Sequence, residues 1–462
     1  MKTDHPQFRG ARLDARSIAL LALLDARDGD AYVQEILDTY FQRVAISALD
    51  RRLATQLACG IMRRRQTLDA LLRPLVRRPP HLVEPFLWEL LRLGAFQLAF
   101  LDQVPPHAAI HATVELVKDF GRPWAKGFVN AVLRGVQRLL ADDRIDLPSS
   151  RALPLDDGRY RVLTRSALPD PATRPGEYLA AGLSLPSWLV HRWLNRWGWD
   201  ETVRLGFWFQ ATPPLTLRVN PLRIDRAAFL QAATAAGFVV EPGPHPQAVR
   251  VGEAALVRAL PGYDQGWFSV QDASAMEVAT MLEPRPGWTI LDLCAAPGGK
   301  TTHLAELMGN RGKIVACDID SGRLRMVDEL CQRLGTSIVQ TRLLEGERDE
   351  DPPAGSFDAV LVDVPCSNTG VLGRRPEARW RIQPTALQRL IPLQTKLLLQ
   401  AAERVRPGGV VVYSTCSIEP DENEHVVRNV ARSRVGLKLE VESLQSPGRS
   451  ADGGYWAKLR RG

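Results

Sequence analysis

The 462-residue chain has only six cysteines, and none of its apolar runs approaches the ~20 residues needed to span a bilayer. So few cysteines in so long a chain exclude a dense disulfide framework, and the six are read as reduced thiols. The first residues, MKTDHPQFRGARLDARS, contain no apolar stretch of the kind a signal peptide needs. A cytoplasmic protein with no membrane partner is therefore expected. Hydrophobic and charged fractions are those of a globular protein, and the length suffices for two or three domains.

Acidic residues are the scarcer sign, 52 against 59 Lys and Arg, for a net charge of +7. Most of that excess lies early: residues 1–140 hold 20 Lys and Arg against 14 Asp and Glu. A basic N-terminal third points to a polyanion, most simply nucleic acid, although a solubilising surface accounts for so small an excess nearly as well.

Residues 12–140 carry apolar residues at helical spacing throughout, as in ARSIALLALLDA and EPFLWELLRLGAFQLAFL, with proline pairs at 79–80 and 105–106 between the runs. This predicts an all-helical bundle. Residues 141–177 are rich in Pro, Asp and Ser without periodicity and are expected to be a linker. Residues 178–271 begin with a Trp-rich helical segment whose indoles serve core packing or base stacking. That segment runs into short strand-like and helix-like runs (LTLRVN, DRAAFLQAATAAG, AVRVG, WFSVQ), read as a small α/β, RRM-like subdomain. From 272 to 462 strands and helices alternate regularly, which predicts a Rossmann-like α/β domain with a parallel sheet.

In ILDLCAAPGGKTTHLAEL a strand enters a glycine turn and then a helix. The turn lacks both GxGxxG, the dinucleotide signature, and GxxxxGK[ST], the phosphate loop. Asp318 ends the next strand, 19 residues after Gly299, where an acid binds ribose hydroxyls. S-adenosylmethionine has a ribose and no phosphate to neutralise, and it fits best; a βα turn without a ligand is the alternative.

Two more strands end in cysteines: AVLVDVPCSNTG at Cys366 and GVVVYSTCSI at Cys416. In a parallel sheet their C-termini share the cofactor crevice, together with Asp363. Cys59, Cys294, Cys317 and Cys331 read as inert packing residues. A thiolate at this place has a use. Carbon 5 of cytosine is a poor nucleophile, but a thiolate adding to carbon 6 makes the ring an enamine that attacks a sulfonium methyl at carbon 5. A carboxyl group at ring nitrogen 3 would drain charge as the thiol adds, and Asp363 is the candidate. The residues alone leave open which cysteine attacks. A Pro-Cys cysteine is the nucleophile of DNA cytosine methyltransferases, which favours Cys366.

LDLCAAPGGKTTHLAE, ACDID, LVDVPCSNTGV and YSTCSIEPDENE together resemble the motif set of the RNA 5-methylcytosine methyltransferases. PLTLRVNPLR, FSVQDASAM and SADGGYWAKLRR are similar to the family's flanking segments, and VPPHAAIHATVELVKDFGRPWAKGFVNAVLRGV resembles a NusB-type RNA-binding domain. The resemblance implies Cys416 as nucleophile, Cys366 as the residue that assists breakdown of the covalent adduct, and Asp363 as the contact to the cytosine. It implies S-adenosylmethionine held by Cys294, Ala295, Ala296, Pro297, Gly298, Gly299, Lys300, Asp318 and Asp363. Glu345 stands where the family commonly has an aspartate near the adenine. Asn368 occupies a position where small residues are frequent.

The implied partner is RNA, most simply 16S rRNA, with tRNA or another rRNA as the alternative; no DNA partner and no metal site are expected, and a monomer is. A non-catalytic RNA-binding assembly factor is the reading from another class, and intact Asp318, Asp363, Cys366 and Cys416 argue against it. GRRPEARWR, residues 373–381, is expected to offer Arg374, Arg375, Arg379 and Arg381 to phosphates and Trp380 to a base, with a solvated loop as the alternative. Arg63, Arg64 and Arg65 are a second candidate phosphate contact. The target cytosine is expected to flip into the crevice.

Overall fold

A computed structural model describes residues 13–29, 31–252, 256–344, 356–433, 435–448 and 451–462. The chain divides into two compact units, Met1–Thr212 with Leu372–Arg381, and Pro213–Val371 with Ile382–Gly462. No helix among the described residues is long and apolar enough to cross a membrane.

The first unit opens with the expected helices, among them Ala15–Asp28, Ala48–Arg63, Pro85–Phe100, Pro106–Asp119 and Lys126–Leu139. Their apolar stripes meet in one core that includes Leu20, Leu57, Leu90, Val117 and Leu133, all fully buried. Helix starts follow local chemistry: Asp14 caps the first by accepting from Ser17 N, and Pro85 and Pro106 sit at first-turn positions where no N–H is missed. Helices Ala48–Arg63 and Pro85–Phe100 approach so closely at Gly60 that a Cβ there would lie 2.2 Å from the Phe96 ring. No larger residue fits this crossing.

Residues 141–177 correct the expectation of a linker. Strands Leu140–Ile145, Ala152–Pro154 and Tyr160–Leu163 form an antiparallel sheet with the third strand in the middle, and a helix follows at Pro175–Gly182. Leu153 and Leu163 are fully buried in a cluster with Leu71, Ala99 and Leu139. Two of the strands have only three or four residues, and the six of Leu140–Ile145 show no alternation of burial, so no period can be read. The Trp-rich helix Ser187–Gln210 falls in this unit too. Trp193 is fully buried, its ring 5.9 Å from Phe209 and 6.1 Å from Trp197.

The expectation for residues 373–381 is corrected at Arg379 and Trp380. Arg379 is 1% exposed, and its guanidinium donates to the carbonyls of Arg63 (3.0 Å), Ser184 (3.2 Å), Leu372 (3.3 Å) and Phe209. Trp380 packs on the helical core and donates its indole N–H to Met62 O at 3.1 Å. Arg381 donates to Ala31 O at 2.7 Å. Arg64 is buried between Pro154 O and Asp156, and Arg63 donates to Gly373 O. Pro154 O and the Asp156 carboxylate consume Arg64, and carbonyl oxygens inside the unit consume Arg379, so neither guanidinium is left for phosphates. Arg379→Ala is therefore expected to destabilise this unit by about 3 kcal/mol or more, since it orphans several buried carbonyls at once. Denaturant unfolding of the full chain measures this. A normal unfolding midpoint combined with weakened RNA binding would restore the phosphate-contact reading.

The second unit holds two sheets. The smaller is antiparallel, in the spatial order Val240–Pro242, Ala248–Val251, Leu215–Val219, Phe268–Val270, with helix Arg226–Ala235 covering it. The larger has seven strands: β1 (Thr289–Asp292), β2 (Lys313–Asp318), β3 (Val339–Leu343), β4 (Phe357–Asp363), β5 (Val405–Thr415), β6 (Leu437–Gln445) and β7 (Gly454–Arg461). Their order is β3-β2-β1-β4-β5-β7-β6; the first five are parallel, and β7 is antiparallel to both β5 and β6. Side chains alternate across the sheet with period two. Leu291, Val360, Val362, Val411 and Tyr413 face one core with helix Pro384–Arg404, while Ile290, Ala359, Leu361, Val410 and Val412 face the other with helices Ala273–Met281 and Gly299–Leu307. Both faces are covered, so the strands read as continuous apolar runs. The C-terminal ends of β1, β2, β4 and β5 lie along one edge of the sheet.

Candidate active site

Three carboxylates end three adjacent strands: Asp292 on β1, Asp318 on β2 and Asp363 on β4. After β1 the chain passes through Cys294, Ala295, Ala296, Pro297, Gly298 and Gly299 into helix Gly299–Leu307. Gly298 has φ +99°, a conformation that favours glycine, and a Cβ there would crowd Val327 at 3.1 Å. Ala296 N donates to Asp318 at 3.2 Å, which ties the turn to the end of β2. Lys300, at the start of the helix, reaches Asp363 at 2.6 Å, and Ser414 Oγ holds the other Asp363 oxygen at 2.6 Å. Burial lowers the Lys300 pKa, but the Asp363 carboxylate outweighs it and the net shift is upward; Cys416 adds to that shift. The turn residues, Lys300, Asp318 and Asp363 are thus gathered at one edge. Glu345 lies outside the described residues.

Arg218, in the strand Leu215–Val219 of the smaller sheet, escaped the sequence reading. Its guanidinium is fully buried and spends all five N–H donors: on Glu306 (2.9 and 2.7 Å), Gly299 O (2.6 Å), Thr302 Oγ1 (3.0 Å) and Gln271. It thereby clamps the helix that begins at the glycine turn. A pair so enclosed resists loss of either partner, typically by about 3–5 kcal/mol.

Asp292 also went unremarked. It is 1% exposed; one oxygen accepts from Thr301 at 2.8 Å, and the other has no hydrogen-bond partner among the described residues. Burial pushes its pKa up to about 7. The folded protein thus holds this proton more tightly than an unfolded chain, whose aspartate titrates near 3.8. Stability should fall as pH rises from about 4 to about 7 and level off above. Asp292→Asn carries no charge at any pH and keeps an acceptor for Thr301. It should flatten that slope in thermal unfolding of the ligand-free chain between pH 5 and 8. Parallel curves for the two proteins would remove the assignment.

The cysteines end their strands as expected and converge. Cys366 Sγ and Cys416 Sγ lie 3.1 Å apart as free thiols. Cys416 Sγ also donates to Asn368 Oδ1 at 3.1 Å, and Asn368 Nδ2 donates to Cys366 O at 2.9 Å, so the position where small residues are frequent bridges the two loops. Gly370 N donates to Cys416 O at 2.9 Å, and a Cβ on Gly370 would meet that oxygen at 2.8 Å. The hydrogen bond with Cys416, and then burial, push the Cys366 pKa well above its ordinary value. The packing cysteines differ. Burial raises Cys59 to about 11 and Cys317 to about 12, raises Cys331, and takes Cys294 well above its usual range. Each stays an unreactive thiol.

Three family models match the chain: 16S rRNA methyltransferase RsmB/F over residues 279–455, the NusB family over 13–138, and the RsmF/B-like ferredoxin-like domain over 185–258. A probable ribosomal RNA small subunit methyltransferase B from Synechocystis is 36% identical over 440 residues, covering 94% of this chain and 93% of that protein. One of the same description from Bacillus subtilis is 34% identical over 418 residues, covering 90% and 88%. The crystal structure of PH0851 superposes with a TM-score of 0.78 at 25% identity, covering 97% of this chain and 98% of that one. A methyltransferase homolog from Pyrococcus horikoshii gives a TM-score of 0.55 at 27% identity over 61% of this chain and 97% of that one.

Proposed function

Since the chain belongs to the RsmB/F family of 16S rRNA methyltransferases, we propose that it methylates carbon 5 of one cytosine in 16S rRNA through a covalent cysteine adduct. The observation that carries this reading is the pair of free thiols 3.1 Å apart at the ends of two parallel strands, beside a fixed carboxylate. A methyltransferase acting on an already nucleophilic atom needs neither.

S-adenosylmethionine is the proposed donor, and when bound it supplies an electrophilic methyl on a cationic sulfur. The donor set suits it. The crevice offers carboxylates to hydroxyls and to positive charge, and its part-buried lysine, Lys300, is engaged by Asp363. A phosphate-bearing ligand would meet repulsion there. Asp318 at the end of β2 would take the ribose hydroxyls. Residues 294–300 and Asp363 would line the rest.

In the proposed reaction the Cys416 thiolate adds to carbon 6 of the flipped cytosine, with Asp363 bonding the ring as charge develops. Carbon 5 then takes the methyl. Its proton leaves to a base, the ring double bond re-forms, and the carbon–sulfur bond breaks with its electrons returning to Cys416. Cys366 keeps its proton at neutral pH. A protonated neighbour donates to a sulfur anion, and both a nucleophilic Cys416 and a departing Cys416 gain from that.

The test is methyl transfer from labelled S-adenosylmethionine to unmodified 16S rRNA, with tRNA and large-subunit rRNA alongside. Label in 5-methylcytosine at a single 16S position is expected. Label on another RNA would move the substrate, and no label on any would return the assembly-factor reading.

A further inference from the structure

We propose that Glu422 is a positioning residue that sets the Cys366 loop against the Cys416 loop and so governs release of the adduct; this rests on the cysteine roles proposed above. Glu422 is fully buried seven residues after β5 ends, and its carboxylate gathers both cysteine loops. Ser367, immediately after Cys366, donates to it twice: the backbone N–H to Oε1 at 2.8 Å and the hydroxyl to Oε2. Ser417, immediately after Cys416, donates its hydroxyl to Oε2 at 2.6 Å. Gln394, on helix Pro384–Arg404, donates to Oε1 at 3.0 Å and to Pro365 O at 2.9 Å, which reaches the residue before Cys366. The Glu422 carbonyl in turn accepts from Tyr413 Oη at 2.6 Å, in the strand that leads to Cys416.

The connections are unequal. The Cys366 side depends on Glu422 through three of these contacts: both Ser367 bonds and the Gln394 bridge. The Cys416 side depends on it through one, and Asn423 helps there by accepting from Thr415 at 2.6 Å and donating to Ser417 O at 3.0 Å. Loss of the Glu422 carboxylate should therefore release the Cys366 loop more than the Cys416 loop. Addition to the ring persists while departure slows. Glu422 hydrogen-bonds neither sulfur; it acts through the loops, and its charge adds to the upward push of Cys416 and burial on the Cys366 thiol.

The experiment compares Glu422→Ala and Glu422→Gln in the full chain, with kcat, KM for RNA and KM for S-adenosylmethionine, and RNA-bound protein on denaturing gels. Glu422→Ala is expected to lose about 10²-fold in kcat, the scale of a roughly 1 Å misplacement, with both KM values nearly unchanged. It should accumulate a covalent RNA complex even though Cys366 is intact. Glu422→Gln keeps an acceptor for Ser367 N and Gln394, and it should recover most of the turnover and accumulate little complex. Loss of activity without the complex and without rescue by Gln would overturn the proposal, as would normal turnover of Glu422→Ala. Cys416→Ala in the same assays tests the underlying mechanism separately: if it is active, the cysteine roles fail, whatever Glu422 does.

Discussion

Cys416→Ala enzyme is expected to transfer no measurable methyl to 16S rRNA, at least about 10⁴-fold below the unaltered protein, and to leave no covalent complex with RNA. Removal of a covalent nucleophile has effects of this scale in other enzymes because the uncatalysed route through a poor nucleophile remains. The fold should survive. Cys416 directly follows β5, is partly exposed and contributes to neither sheet core. Affinity for S-adenosylmethionine, measured by calorimetry, should therefore be retained, since the glycine turn and Asp318 are untouched. Residual turnover with adduct formation would transfer the nucleophile role to Cys366, the choice that a Pro-Cys motif alone favours. The electrostatics oppose that choice. Hydrogen bonding with Cys416 and burial both hold Cys366 as a thiol, and the charge on Lys300 interacts with Cys416. In a pair of touching thiols only one proton leaves readily, and the partner that keeps its own stabilises the anion.

What the sequence revealed of this site, and what it concealed, follow from the range of each interaction. The seven-stranded sheet was legible because both its faces are covered, so β4 and β5 read as unbroken β-branched runs whose ends point at one crevice. The glycine turn and the two cysteines were legible because each motif is local. The sheet at 140–163 was not, since two of its strands have three or four residues and Leu140–Ile145 does not alternate. Within the basic stretch 373–381, Arg379 misled for a different reason. The stretch has the composition of an RNA contact, yet Arg379 meets carbonyls as far as 316 residues away in sequence, and only the fold brings them together. Arg218 and Glu422 share this property, whereas Asp292 bonds Thr301 only nine residues on and what the sequence hid was its burial. Arg218 and Glu422 are each one polar residue in an ordinary motif until their partners, 55 residues or more distant for Ser367 and Gly299, are seen around them. Buried polar residues with partners far along the chain are what periodicity and composition are least able to find.

Cys366→Ala makes the second large prediction, and it is opposite in kind. The variant is expected to turn over about 10³-fold more slowly, within the range for loss of an acid–base group, while forming an RNA complex that survives denaturing gels. After methyl transfer the cytosine is bound to Cys416 through carbon 6, and release requires loss of the carbon-5 proton and departure of the sulfur. The departing sulfur needs a donor beside it. Cys366 is a thiol 3.1 Å away, and Asn368, which accepts from Cys416, offers its oxygen and not a proton to that sulfur. Alanine removes the thiol without disturbing Ser367 or its bonds to Glu422. Addition and methyl transfer should thus proceed once and stop. The trapped complex should hold one methyl per protein, as mass spectrometry of the digested adduct would read out. A trapped complex without the methyl would place Cys366 before the transfer step, as a group that helps Cys416 attack. Normal turnover would leave Cys366 as a packing residue like Cys317, despite its place beside the nucleophile.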